Sequence, residues 1–479
     1  MHTHPRTPVS NLDAGVCAQA GTASARPDKH AGRTWPQPQT AQRVLLLTSG
    51  LGSGHVRAAQ AIELAWQAVA PRATVRTTDF WSLMDRGVAE AIQQGYLQLT
   101  SEQPELYDRV YHLDQRLWRE LLAGSAVPQP LQQALRLLSA NLSGLPRAGK
   151  RIDRWVFLAL LAVLQGRAWG WPGAAVRCGL MGYAYRRLAL RLRARIRAFG
   201  PDLIVLTEMW PAALLSPSKE RGAVAAPALG VFTDHGVHDL WVQRGIDHYC
   251  VASAEMATAL VAAGVERARI SVTGIPLMPG FRHLPSREEA RSALGIDPTR
   301  AAVLLLGGGL GLGVEEVARQ LAHSGIDAQW LVAAGSNRVA TERLLALAGT
   351  VPRLAVFGWT ERIEQLIRAA DVVVGKPGGL TVAEAMACGR PLLATRCLRG
   401  QEGFNVRFLE AHGVGRLVAD ADLAAALAAL LADRGQLAAM QQRAWALGHR
   451  DSAPRVVSAA LALTAARAPA RGEAAVQTS

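Results

Sequence analysis

Twice along this chain a short apolar run ends in a cluster of glycines and leads straight into a helical pattern. The first is Arg43-Val-Leu-Leu-Leu-Thr48 followed by Ser49-Gly-Leu-Gly-Ser-Gly54; the second is Ala301-Ala-Val-Leu-Leu-Leu306 followed by Gly307-Gly-Gly309. A continuous apolar run suits a strand buried on both faces, and glycine lets backbone approach a ligand at the start of the next helix. Strand, glycine loop, helix is the opening unit of a doubly wound α/β domain, so its recurrence predicts two such domains. The length of 479 residues agrees, because it exceeds what one hydrophobic core usually supports, and half of the residues are hydrophobic.

Further apolar runs predict strands at Thr74–Thr78, Leu203–Thr207, Ala228–Thr233 and His248–Ala252 in the first half. The second half offers Trp330–Ala334, Leu354–Phe357, Val372–Val374 and Pro391–Ala394. The intervals are long enough for crossover helices, which favours parallel sheets. Around Val272-Thr-Gly-Ile-Pro276 and Pro279-Gly280 the pattern breaks, which marks the linker. The expected organisation is a disordered leader over 1–42, an N-terminal domain over 43–275, a C-terminal domain over 276–450, and a helix and tail over 451–479. The leader lacks the apolar core of a secretory signal. Cys17, Cys178, Cys250, Cys388 and Cys397 are scattered and odd in number, as expected of reduced thiols in a cytosolic protein.

Lys and Arg outnumber Asp and Glu by 52 to 38, giving a formal charge of +14 and pointing to an anionic partner. Much of the excess lies in residues 147–197, which also carry Trp155, Phe157, Trp169, Trp171 and Tyr183. Arginine interleaved with amphipathic aromatics suits the headgroup layer of an anionic membrane rather than nucleic acid. Leu188, Leu192, Ile196 and Phe199 share one helical face, so the plainer alternative is a scaffold helix with a solvated basic back. The longest apolar run, Trp155–Leu164, is about half the ~20 residues a spanning helix needs. The expected location is therefore cytoplasmic, peripheral on the inner face of the membrane.

The most informative stretch for chemistry is Ala370-Asp-Val-Val-Val-Gly-Lys-Pro-Gly-Gly-Leu-Thr-Val-Ala-Glu-Ala385, followed by Gly400-Gln-Glu-Gly-Phe-Asn405. The glycine pair and a helix beginning near Thr381 offer free amides and a positive dipole to a diphosphate. Glu384, in that helix's first turn, suits two ribose hydroxyls; alternatively the glycines merely turn the chain and Glu384 caps it. His55 lies at a loop-to-helix junction, where an imidazole can accept a proton near neutral pH. Asp420-Ala-Asp422 has a metal-transferase form, but its place before an Ala-rich helix points to capping. No metal or other cofactor is expected.

Lys376-Pro-Gly-Gly-Leu-Thr-Val-Ala-Glu-Ala385 with Gly400-Gln-Glu and Asn405 resembles the donor signature of glycosyltransferase family 28, in particular its monogalactosyldiacylglycerol synthase and processive diacylglycerol glucosyltransferase branch. Gly52-Ser-Gly-His-Val-Arg-Ala-Ala59 and Thr233-Asp-His-Gly-Val-His-Asp-Leu-Trp241 resemble N-domain signatures of that branch, with Gly307-Gly-Gly309 and Phe357-Gly-Trp359 in family order. The resemblance runs from about residue 43 to about residue 420 and is far more specific than one glycine loop. It implies a GT-B fold: two Rossmann-like domains facing across a cleft.

It also implies an inverting transfer of a hexose from a UDP-sugar to a lipid hydroxyl, with diacylglycerol the first-choice acceptor. Glu384 would hold the ribose, while Gly378, Gly379 and Thr381 would line the diphosphate opposite Gly308 and Gly309. Phe357 and Trp359 would bracket the uracil, and Gln401, Glu402 and Asn405 would face the sugar. His55 and Asp234 are the candidate catalytic groups, although Asp234 could equally tie its own loop's amides. The family's Asp five residues before the motif histidine is replaced by Gly50, and Gly403-Phe404 stands where an acid and a glycine are common. The alternatives are a transferase for another lipid-linked acceptor, of the peptidoglycan-precursor type, and a UDP-sugar 2-epimerase of the same fold.

Overall fold

The computed structural model describes residues 42–84, 86–103, 105–107, 186–398 and 400–466. The leader, the tryptophans at 155, 169 and 171, Cys17, Cys178 and residues 147–185 of the basic segment lie outside the described residues.

Among the described residues, twelve strands form two six-stranded parallel sheets. The first contains β1 (Arg43–Thr48), β2 (Thr74–Asp79), β3 (Leu203–Leu206), β4 (Ala228–Val231), β5 (His248–Val251) and β6 (Ile270–Val272), in the order β2-β1-β3-β4-β5-β6. The second contains β7 (Ala301–Leu306), β8 (Ala328–Ala333), β9 (Leu354–Phe357), β10 (Val372–Gly375), β11 (Leu392–Ala394) and β12 (Gly415–Leu417), in the order β12-β11-β10-β7-β8-β9. This second order is that of the dinucleotide-binding Rossmann sheet. The eight further strands expected from apolar runs are present with ends shifted by a residue or two. β6 and β12 are additions: each is a three-residue edge strand whose sequence, Ile-Ser-Val and Gly-Arg-Leu, carries too little apolar periodicity to stand out.

The helices of the first half are α1 (Ser53–Val69), α2 (Arg86–Glu102), α3 (186–199), α4 (Met209–Glu220) and α5 (Ala254–Ala262). Those of the second are α6 (Arg287–Leu294), α7 (Val314–Ala322), α8 (Arg338–Ala348), α9 (Ile363–Ala369), α10 (Gly379–Ala387), α11 (Gly403–Ala411), α12 (Leu423–Ala432) and α13 (Arg434–Leu447), followed by α14 (Ser452–Ala465). Alternation along the strands divides the cores by face. Leu45 and Leu47 of β1 join one cluster while Val44 and Leu46 join another; Leu304 and Leu306 of β7 are likewise separated from Val303 and Leu305.

α3 packs Leu192, Ile196 and Phe199 into the first core and leaves Arg186, Arg195 and Arg197 exposed. α14 crosses back to the first half, where Ala453, Val456, Val457, Ala460 and Leu461 pack with Ile62 and Trp66 of α1. The two crossings lie against each other at Gly274. Its φ is +81°, and a Cβ there would lie 2.3 Å from the Cβ of His449, so only glycine fits.

Candidate active site

In an open parallel sheet the ligand crevice lies beyond the carboxyl ends of the strands, where the strand order reverses. The reversal falls between β1 and β3 in the first sheet and between β7 and β10 in the second. The loops after β1, β7 and β10 accordingly line one cleft of ≈ 250 Å³, joined by Thr233 and Asp234 after β4. Two helices begin there, α1 behind Gly52 and α10 behind Gly378, and neither has a side-chain cap. A methyl placed on Gly54 would lie 3.9 Å from Leu380 Cβ. The Gly379 amide at the start of α10 is taken by Asp234, and the remaining amides at the two helix starts, with their positive dipole ends, border the cleft and favour an anion.

Glu384 lines the cleft from the second turn of α10, because the helix starts at Gly379 rather than near Thr381. Its carboxyl is buried and, among the described residues, has no hydrogen-bond partner; burial pushes its pKa up to about 8, against the attraction of Arg57. Gly308, Gly309, Gly378, Gly379 and Thr381 all line the same space. Gly309 meets Ser53 of the opposite half closely, a Cβ on it lying 2.6 Å from Ser53 Cβ. Trp359 is half-exposed at the edge, its Nε1 donating to Glu361 Oε1 at 2.9 Å.

Two cations border this site that the sequence analysis left without a role. Arg57, one turn after Ser53 on α1, reaches across to Glu361 Oε2 at 2.8 Å and stands over the Trp359 ring, 5.6 Å from its centroid. Lys376 Nζ lies 3.2 Å from Glu402 Oε1. The i to i+4 spacing of Ser53 and Arg57 was the available signal, since it puts both on one helical face.

His55 faces the opposite side of the cleft. Its Nδ1 donates to the Thr207 main-chain carbonyl at 2.8 Å, and Thr233 Oγ1 lies 3.0 Å from the same nitrogen. A carbonyl can only accept, so the proton is on Nδ1 and Nε2 carries the lone pair; among the described residues Nε2 has no protein partner. The ring is thereby oriented to take a proton from a group in the cleft.

Residues 180–277 match the monogalactosyldiacylglycerol (MGDG) synthase family, and residues 309–433 match glycosyl transferases group 1. A processive diacylglycerol beta-glucosyltransferase from Bacillus pumilus (strain SAFR-032) is 29% identical over 56% of this chain and 70% of its own length. One from Bacillus subtilis (strain 168) is 30% identical over 53% of this chain and 66% of its own. The crystal structure of Acinetobacter baumannii MurG superposes with a TM-score of 0.52 at 14% identity, covering 88% of this chain and 99% of MurG, which shows the shared GT-B fold. The chain is a GT-B glycosyltransferase related to the MGDG synthase branch.

In this glycosyltransferase several expected contacts fall elsewhere. Phe357 does not bracket the cleft: as the last residue of β9 it points into the second core, and Gly358, Trp359 and Thr360 form the wall instead. Asn405 does not face the cleft either. It is wholly buried, with Nδ2 donating to Pro377 O at 2.9 Å and Asp234 Oδ1 at 3.1 Å and Oδ1 accepting from the His235 amide at 2.8 Å. Gln401 lines the cleft but its amide is engaged, donating to Asp234 Oδ2 at 3.0 Å and accepting from the Tyr107 hydroxyl at 3.0 Å. Glu402 lines it as well, between Lys376 and the Leu398 amide.

These bonds decide the role of Asp234. Its carboxylate accepts from Gln401, Asn405 and the Gly379 amide, so it fastens the first half to the second instead of standing free as a base. Burial raises its pKa, opposed by these donors. Gly379 is part of the same joint, since a Cβ on it would lie 2.0 Å from Thr233 O.

At Gly50 the Asp79 carboxylate occupies the adjacent space: Asp79 Oδ1 accepts the Gly50 amide at 3.3 Å, and a Cβ on Gly50 would lie 2.8 Å from Oδ2. Asp422, expected as a cap, makes no side-chain cap bond to α12, and Asp420 lies 3.5 Å from Arg396 instead. Among the described residues no cluster of His, Cys, Asp and Glu suits a metal ion. Cys250 and Cys388 are buried thiols. Among the described residues no single helix is long and apolar enough to cross a membrane.

Proposed function

We propose that this glycosyltransferase moves a hexose from a UDP-sugar to the hydroxyl of diacylglycerol, with inversion at the anomeric carbon. The observation that carries the reading is the convergence on one cleft of two helix N-termini that their own N-cap residues leave uncapped and of the buried Glu384, which has no hydrogen-bond partner among the described residues. The diphosphate lies between α1 and α10, and the ribose hydroxyls donate to Glu384. Trp359 flanks the base, and Glu402 and Gln401 border the sugar. The acceptor oxygen attacks the anomeric carbon as the bond to the diphosphate oxygen breaks. The acceptor proton passes to His55 Nε2, and the negative charge left on UDP is stabilised by the helix amides and Lys376. On this reading no metal or other cofactor is required.

The relatives' named acceptor supports diacylglycerol. The exposed arginines of α3 support a peripheral position on the anionic inner face of the cell membrane, where that acceptor resides. Radiolabelled UDP-glucose and UDP-galactose, each incubated with diacylglycerol, test the proposal. A labelled neutral glycolipid is the expected product and its identity fixes the sugar. UDP release that is indifferent to lipid, with C2-epimerised sugar as the product, would overturn it in favour of an epimerase.

A further inference from the structure

A second cavity of ≈ 200 Å³ adjoins the cleft and shares His55, Thr233, Asp234 and Gln401 with it as a common wall. Its other walls are aromatic: Tyr107 and Trp210, Phe404 from the second half, and Phe232 with Trp241, whose ring centroids are 4.6 Å apart. No lysine or arginine is among the described residues that line it. It contains two carboxyl groups. Asp234 is engaged by the second half, as above. The other is Glu208, at the end of β3 and 5% exposed, with Oε2 accepting from the Trp210 amide at 3.1 Å at the start of α4.

We propose that this cavity seats the uncharged, hydroxyl-bearing headgroup of the acceptor, and that Glu208 is the residue that hydrogen-bonds it. The inference rests on the transferase reading and adds the place where the acceptor sits and the residue that reads it. Aromatic walls bury the carbon skeleton of the headgroup, and a carboxyl among them supplies the polar contact. The shared wall brings the bound hydroxyl beside His55, the group that takes its proton. Burial holds the pKa of Glu208 at about 8, so near neutral pH it is a protonated carboxyl that donates to an acceptor oxygen. A phosphorylated headgroup entering here would meet the Asp234 carboxylate and no lysine or arginine among the described lining residues, which disfavours acceptors of the lipid diphosphate type.

The experiment uses the full chain with dioctanoylglycerol in neutral mixed micelles. Glu208→Ser keeps an acceptor for the amides of α4 but is too short to reach the cavity, whereas Glu208→Gln keeps both cap and reach. Glu208→Ser is expected to raise the acceptor KM about tenfold or more, with the UDP-sugar KM and the UDP dissociation constant unchanged, and Glu208→Gln to restore most of the loss. Dioctanoyl phosphatidic acid is expected not to compete. An acceptor KM for Glu208→Ser equal to the parent's, an equal rise in donor and acceptor KM, or competition by phosphatidic acid as strong as that of the neutral lipid would overturn the inference. A parent protein that binds UDP yet transfers to no lipid would refute the transferase reading itself, so the two failures are distinguishable.

Discussion

At the scale of single residues, the site depends on carboxyl groups held neutral by burial. Glu384 and Glu208 both have pKa values near 8, well above the ordinary carboxyl value of 4.5, because the folded protein disfavours their charged forms. The folded state therefore binds these protons more tightly than the unfolded chain. Their contribution to stability is complete below the ordinary value and is lost as pH rises toward 8. On the proposed function UDP binding runs the other way, since two ribose hydroxyls would stabilise the carboxylate of Glu384 and lower its pKa. UDP affinity should thus tighten from pH 6.5 to 8 and level off above, and Glu384→Gln should flatten the profile and weaken binding by about 1.5 to 3 kcal/mol. Calorimetry in buffers of different ionisation enthalpy checks this through proton release, and a flat profile for the parent would count against the ribose assignment. For His55, whose ring is fixed by Thr207, His55→Ala should lower turnover by about 10²- to 10⁴-fold while leaving UDP affinity near normal. Steady-state kinetics beside a UDP titration decides, and near-normal turnover would remove His55 from the mechanism.

At the scale of elements, the two glycine loops act through the helices they start. α1 and α10 belong to different sheets, and each starts at the same space without a cap from its own N-cap residue. The second of these sheets is anchored by a buried charge cluster away from the cleft. Asp371, before β10, accepts from Arg287 at 2.8 Å and Arg291 at 2.8 Å on α6, and from the Ala302 amide at 2.9 Å on β7. Arg291 is 1% exposed, so removing its partner strands a buried cation. Asp371→Ala should destabilise the protein by about 3 to 5 kcal/mol, read as a lowered midpoint in urea unfolding. A loss below about 1 kcal/mol would mean that the cluster is solvated or replaceable.

At the scale of the whole molecule, the proposed membrane position asks a basic surface and a bipartite cleft to work together. Arg186, Arg195 and Arg197 project from the exposed side of α3, while Arg191 is turned inward to the Leu83 carbonyl at 3.1 Å. Each exposed arginine near an anionic bilayer contributes about 1 kcal/mol, screened by salt. Replacing these three by Gln should reduce co-sedimentation with anionic vesicles about tenfold or more, and sparing Arg191 keeps the fold intact. Transfer to dioctanoylglycerol in neutral micelles should be unaffected. Equal sedimentation on neutral and anionic vesicles, insensitive to salt, would return α3 to a purely packing role. Closure of the cleft is held by a separate set of contacts, Asp234 with Gln401, Asn405 and Gly379, and Arg57 with Glu361.

By itself the sequence determined the elements that announce themselves locally: ten of the twelve described strands through their apolar runs, both glycine loops through their composition, and the cleft-lining glycines and Glu384 through their spacing. These features depend on neighbours a few residues apart, and so they can be read in one dimension. Only the tertiary structure decided the rest. Asp234 and Asn405 look like site residues in sequence, yet, 171 positions apart, they meet across the two halves and bond to each other. Phe357 and Trp359 are two residues apart, but strand alternation sends one into the core while the turn after β9 leaves the other at the cleft. Glu208 carries no motif, and its burial among rings drawn from β4, α4 and the second half appears only once the chain has folded. Which polar groups are already satisfied, and which are left for a ligand, is a property of contacts between distant segments, and no local pattern encodes it.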